Sequence, residues 1–167
     1  MRLWSLPLGL CLLFALVGSA SATSWASVRD PAGRYVIELP TTSFEAVATG
    51  ETGHLTWNEV GGGAIIDVYS GRNLKRLAAN DFIHELSRAP RIADVTYAAR
   101  GRTWFAISGH YLREKGDDAP LIYYAKFVFS SDLSRFAAFE ISYPVAEKAR
   151  LDDIVTHLEK TLRLLGT

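Results

Sequence analysis

Cysteine is nearly missing from this chain: Cys11 is the only one in 167 residues. It falls inside a segment that reads as a leader, so the chain expected after processing has neither a disulfide nor a thiol. Thiol catalysis and cysteine-ligated metals are excluded on that ground. Charge of one sign is missing too. Lys and Arg number 18 and Asp and Glu number 18, so no excess of positive charge exists for nucleic acid or an anionic membrane to select. There is no long apolar run. Leu6 to Val17 is the main one, contains Pro7, and falls short of the roughly 20 apolar residues that span a bilayer. Internal repeats, low-complexity segments and long linkers are also lacking.

What is present begins with an address. Met1 and Arg2 are a short basic start, Leu6 to Val17 is a short apolar run, and Gly18-Ser19-Ala20-Ser21-Ala22 is small enough for a signal peptidase. This layout predicts a secretory signal peptide over residues 1–22 and a protein that works in the periplasm or is secreted. Cys11 follows Leu8-Gly9-Leu10, but bulky Leu10 and its early position argue against lipidation. Residues 23–33 read as a lead and 34–167 as a single domain, long enough to bury its own core without disulfides.

The hydrophobic pattern predicts an α+β domain. Arg34 to Leu39 reads as a strand ended by Pro40, and a polar stretch follows to Gly53. His54 to Val60 and Ala64 to Tyr69 form a hairpin through Gly61-Gly62-Gly63. Leu74, Ala78, Phe82 and Leu86 recur at helical spacing, predicting a helix from Leu74 to about Arg88, stopped by Pro90. Four strands then succeed one another: 94–100, 103–111, 121–130 and 134–143. The third, Leu121 to Ser130, is apolar on both faces apart from Lys126 and is expected to be central and covered on both sides. A closing helix is expected from about Leu151 to Leu165, with Asp152 and Asp153 in its first turn. The whole is an antiparallel sheet of about six to seven strands flanked by two helices.

Few residues suggest chemistry. His54, His84, His110 and His157 make no metal-binding spacing, and no metal or cofactor is expected. His84 and His157 read as solvated helix flanks. Ser108 and His110 share a strand face, and Glu140 falls in the same meander, so a hydrolase triad is one reading; no G-x-S-x-G elbow surrounds Ser108. Asp67 interrupts an apolar strand and is expected to face solvent or to pair with Arg72 or Lys126. Gly61-Gly62-Gly63 precedes a strand, not a helix, so it is a turn and not a phosphate cradle. The bulky aromatics Trp57, Trp104, Tyr123, Tyr124 and Phe127 read as core. Arg100, Arg102, Arg113 and Lys115 lie in hairpin loops, and Arg72, Lys75 and Arg76 stand near the first helix. If these loops converge, they form a basic rim for an anionic ligand or an acidic partner.

Three segments together resemble PsbP-like proteins: Asp30-Pro31 leading into Tyr35-Val36-Ile37-Glu38-Leu39-Pro40, the mid-chain Trp104-Phe105-Ala106-Ile107-Ser108-Gly109, and Glu140-Ile141-Ser142-Tyr143-Pro144 before the last helix. The chain is similar, from about Pro31 to Leu165, to small secreted bacterial domains related to PsbP, the extrinsic subunit of photosystem II. The resemblance carries no catalytic residue and implies a non-enzymatic accessory or binding role. The expectation is an exported binding domain of the cell envelope, its partner an unidentified protein or envelope component. A small envelope hydrolase using Ser108, His110 and Glu140 is the alternative. So is a small-molecule carrier with a pocket between sheet and helix, lined by residues such as Trp104 and Tyr124.

Overall fold

The computed structural model describes residues 23–32, 34–50, 52–112 and 119–166. These form two antiparallel sheets and two α-helices. The larger sheet contains β3 (Phe44–Val47), β4 (His54–Glu59), β5 (Ile65–Arg72), β6 (Ile92–Arg100), β7 (Trp104–Tyr111), β8 (Leu121–Phe129) and β9 (Arg135–Pro144). Its spatial order is β3-β4-β5-β9-β8-β7-β6. Two meanders, β3 to β5 and β6 to β9, are therefore joined by the β5–β9 ladder alone. The smaller sheet has β1 (Trp25–Arg29), β2 (Tyr35–Pro40) and β10 (Arg163–Leu164), with β2 in the middle.

The large sheet buries both faces. On one face Ile66, Val68, Ile122, Phe139, Ile141 and Tyr143 meet Tyr35, Ile37 and Leu39 of β2 and Leu151, Ile154, Val155 and Leu158 of helix α2 (Lys148–Thr161). The small sheet and α2 together roof this face, and the Tyr35 hydroxyl donates across the seam to the Val68 carbonyl at 3.1 Å. On the other face Phe105, Ile107, Tyr123, Ala125, Phe127 and Phe129 pack under α1 (Ala79–Leu86), whose Phe82 sits among four phenylalanine rings. β8 thus serves two cores, as its doubly apolar pattern requires. Its register with β7 and β9 places Tyr124 on one face and Tyr123 and Ala125 on the other.

Some boundaries differ from expectation for identifiable reasons. The first helix runs only from Ala79 to Leu86. Asn73, 4% exposed, takes the backbone N–H of Leu77 on Oδ1 and donates Nδ2 to the Leu77 carbonyl, each at 3.0 Å. That clamp holds residues 73–77 as a loop, with Arg76 at φ 49° and Leu74 in solvent. α2 begins at Lys148, so Asp152 and Asp153 are past its first turn, and it ends at Thr161. Leu162 turns extended and the chain joins β2 as β10. β1 occupies part of the expected lead, and β3 part of the expected polar stretch. The expected leader, residues 1–22, lies outside the described residues. Among the described residues no helix is long and apolar enough to cross a membrane.

Candidate functional site: an arginine-rich end of the two sheets

Antiparallel pairing gathers arginines that are far apart in sequence. β5 ends at Arg72 and β9 begins at Arg135, and these two are direct register partners. The pleat therefore points both guanidinium groups to the same face, with Cβ atoms about 5 Å apart. The loop after β5 adds Arg76. β10 adds Arg163, and Arg34 stands immediately before β2, beside Leu165, whose N–H it receives on its carbonyl at 2.7 Å. The β6–β7 hairpin tip, with Arg100 and Arg102, leaves from this same end, because Trp104 at the start of β7 pairs with Val128 near the end of β8. At about 4.8 Å per strand, that tip is roughly 10–20 Å along the sheet from Arg135.

Carboxylates balance this end only in part. Asp30 is 1% exposed and is committed to Arg34, with Oδ2 receiving Nε at 2.7 Å and the backbone N–H at 3.1 Å. Burial works against its charge, but the bonds and charge of Arg34 outweigh it and hold the carboxyl below the ordinary value of 3.8. Asp132 accepts from Ser130 Oγ at 2.7 Å and from Ser134 N and Oγ at 3.1 and 2.9 Å. Those bonds, with Arg76 nearby, hold it well below the usual carboxylate range. Lys75 is paired with Glu85 at 3.0 Å. Arg72, Arg100 and Arg102 have no ion pair among the described residues, and Arg135 donates to the Gly166 carbonyl. The opposite end of the molecule contrasts: there Arg150 meets Glu59 at 2.5 Å and Glu147 at 2.7 Å, and Lys148 meets Asp152 at 2.8 Å.

Three depressions share Arg135. One of about 260 Å³ lies at the seam of the two sheets, lined by Arg34, Ser70, Gly71, Arg72, Arg135, Phe136 and Leu164. A second, of 360 Å³, continues over Arg72, Asn73, Arg76 and Ser134, and a third, of 610 Å³, runs past Asp132 to Arg163 and Leu164. Ser70 Oγ is buried and is the one buried side-chain polar atom without a hydrogen-bond partner among the described residues.

Arg100 and Arg102 share an end with Arg72, Lys75 and Arg76. Arg113 and Lys115 lie outside the described residues. Arg34, Arg135 and Arg163 were not singled out by sequence. Each is an ordinary surface arginine until register is known.

The hydrolase triad does not form. Ser108 and His110 lie on the α2 face with Tyr124 and Ile122, whereas Glu140 pairs with Ala125 on the α1 face. Ser108 Oγ donates to the Tyr123 carbonyl at 2.8 Å, and the His110 ring meets Asp94 at 3.0 Å. Glu140 accepts from Arg91 at 2.8 and 3.0 Å and from the Tyr111 hydroxyl. Asp67 pairs neither with Arg72 nor with Lys126. It accepts from Thr56 Oγ1 at 2.6 Å and meets His54 Nε2 at 2.9 Å, while Lys126 lies on the opposite face, 3.6 Å from Glu159. His157 is no solvated flank: it stacks on Trp25 at 3.7 Å and meets Glu38 at 2.6 Å. Among the described residues no group of three or more acidic, His or Cys side chains could hold a metal.

A cavity does exist between sheet and helix, as a carrier requires. It measures about 520 Å³ and is lined by Tyr97, Ser108, Tyr124, Tyr143 and α2 residues including Asp152 and Glu159. Trp104 is not part of it; its ring lies 5.4 Å from Lys126 Nζ.

A large antiparallel sheet roofed on one face by a small sheet and a long helix, and on the other by a short helix, is the PsbP/Mog1-like α+β fold. The solved structures it is similar to include cyanobacterial PsbP (CyanoP) from Synechocystis sp. PCC 6803, with a TM-score of 0.59 and 10% identity over 90% of this chain and 98% of that one. The Ran-binding protein Mog1p of Saccharomyces cerevisiae gives a TM-score of 0.60 and 9% identity over 86% of this chain and 96% of that one. No protein-family model matches the sequence, and no curated protein matches it.

Proposed function

We propose that this protein is an exported, non-enzymatic binding domain of the cell envelope, and that it docks an acidic surface of a partner protein on its arginine-rich end. One observation carries the reading: Arg72 and Arg135 are held side by side on neighbouring strands, next to Arg76 and Arg163, with no ion pair to either of the two among the described residues and Asp132 the one carboxylate lining these depressions. Like charges placed directly opposite in a sheet cost stability, and a partner bearing the opposite charge offsets that cost while steering its own approach. The likeness of the fold to a Ran-binding protein and to cyanobacterial PsbP supports a binding role by analogy. The leader-like residues 1–22 support export.

The test has two parts. Mass spectrometry of the protein recovered from the periplasm or medium should find an N-terminus at or near Thr23. Binding to partners captured from an envelope extract should fall in Arg100→Ala/Arg102→Ala and more steeply in Arg76→Glu, with folding intact, and should weaken as salt is raised. Recovery that is indifferent to these substitutions and to salt removes the arginine end as the contact.

A second reading is favoured by the 520 Å³ cavity between α2 and the sheet: a small-molecule carrier. A metabolite that raises the melting temperature, and loses that effect in Tyr124→Ala, would support it.

A further inference from the structure

We propose that the seam crevice at the arginine end is a pocket for a small phosphomonoester. The phosphoryl group lies between Arg72 and Arg135 against the Ser70 hydroxyl. This goes beyond the protein partner proposed above and stands or falls separately from it.

Three observations converge there. Arg72 and Arg135 are register partners with side chains on one face. Two guanidinium groups on one face can hold phosphate oxygens through paired hydrogen bonds, and Arg135 keeps donors beyond the one it gives the Gly166 carbonyl. Ser70, two residues before Arg72, therefore faces the same side. Its Oγ is buried without a partner among the described residues. A buried hydroxyl left unsatisfied costs free energy, so an acceptor oxygen supplied by a ligand is gained at no competing internal bond. Gly71, between them, faces the other side of the sheet, where an added Cβ would fall 2.7 Å from the Phe136 ring.

The remaining walls define the rest of the ligand. Leu164 and Phe136 are apolar, and Arg34 is already neutralised by Asp30. The other carboxylate near Arg135, that of Asp132, is held by Ser130 and Ser134 and lines the third depression, not this one. The crevice of about 260 Å³ is just below the roughly 300–1,000 Å³ of ordinary ligand pockets. It suits a molecule of metabolite size: one phosphoryl group and a short organic portion against Leu164.

The experiment is a calorimetric and thermal-shift titration of the purified protein at constant ionic strength. The probes are inorganic phosphate, glycerol 3-phosphate and phenyl phosphate, with sodium chloride, glycerol and benzoate as controls. The phosphate compounds should raise the melting temperature beyond matched sodium chloride, because they bind only the native state. Each monoester should bind at least five-fold more tightly than inorganic phosphate; equal affinity would assign the crevice to free phosphate and overturn the organic half of the proposal. Arg72→Gln and Arg135→Gln should each weaken binding ten-fold or more. Ser70→Ala should weaken it several-fold while leaving the unliganded protein as stable as before or more so. Arg100→Ala/Arg102→Ala, used above for partner capture, should leave the titration unchanged. Phosphate effects no larger than those of sodium chloride, or titrations of Arg72→Gln identical to wild type, would overturn the pocket whatever becomes of the protein partner.

Discussion

Asp67 and Glu140 face each other directly across β5 and β9, two carboxylates on one side of the sheet. Each is held by a separate set of partners: His54 and Thr56 for Asp67, Arg91 and Tyr111 for Glu140. Arg91 also lies 4.7 Å from the Tyr111 ring. The Glu140 side chain is only 13% exposed, so removing its cation leaves a poorly hydrated charge facing a like one. Arg91→Ala should therefore cost about 1–2 kcal/mol, above the usual exposed ion pair. Urea denaturation measures this, and Glu140→Gln placed on top of Arg91→Ala should restore part of the loss. A fully additive double mutant would show that Arg91 and Glu140 are not coupled.

Asp30 gives a pH dependence of known sign. Its folded carboxyl titrates below 3.8 and its unfolded one near 3.8, so the unfolded chain binds the proton first as pH falls. The stabilisation is complete well above pH 3.8 and is lost as pH drops through the lower folded value. Asp30→Asn should lower stability at pH 7 by about 2 kcal/mol, the scale of hydrogen bonds to a charged group. The gap to wild type should close in acid-unfolding curves as pH falls from 3.8 through the lower folded value. A gap that is constant with pH would show that the charge is not what stabilises.

Gly109 has no room for a side chain. A Cβ there would fall 2.1 Å from the Asp94 carbonyl oxygen, at the point where β6 shifts register against β7. Gly109→Ala must push backbone aside and should cost about 1–3 kcal/mol. His110, whose N–H donates to Asp94 Oδ1 at 2.8 Å, should report the shift by NMR. An unchanged melting temperature would mean the bulge yields freely.

Buried phenols make the protein sensitive to alkali. Burial, with the charges of Asp94 and Glu140, pushes the Tyr123 hydroxyl up to about 12. Burial holds Tyr35, Tyr69, Tyr111 and Tyr124 higher still. A raised folded value means full stability below the unfolded value near 10, and progressive loss above it. Absorbance at the phenolate band should stay low for these residues and then rise together with loss of secondary structure. Phenolate appearing in a still-folded protein would contradict their burial.

Patterning made some of this visible in advance and hid the rest. β8 was legible because both of its faces are apolar, which a central strand requires and an edge strand does not tolerate. Asp67 stood out as a charge within an apolar strand, yet its partner was not readable. Arg72 lies an odd number of residues away on the same strand and so points to the other face. His54 is brought close by the β4 register, with Tyr69 its direct partner. The helix expected from Leu74 failed because one Asn73 carboxamide satisfies the backbone of Leu77. β1, β3 and β10 escaped notice because they are short and take their pairing from β2 and β4. The arginine site escaped for the same reason as the triad misled: adjacency across strands depends on register and pleat, which spacing along the chain does not encode.

The β5–β9 ladder has one more consequence. It is the sole seam between two halves of the large sheet that can each zip up locally, and closing it brings together segments separated by about half of the domain. Such distant pairing is the slow part of assembly and an early part of opening. Arg72 and Arg135 are the final rung of that seam, and there mutual repulsion pries it apart. An anion seated between them would act as a clasp at the open end of that seam, tying occupancy to how long the native state survives.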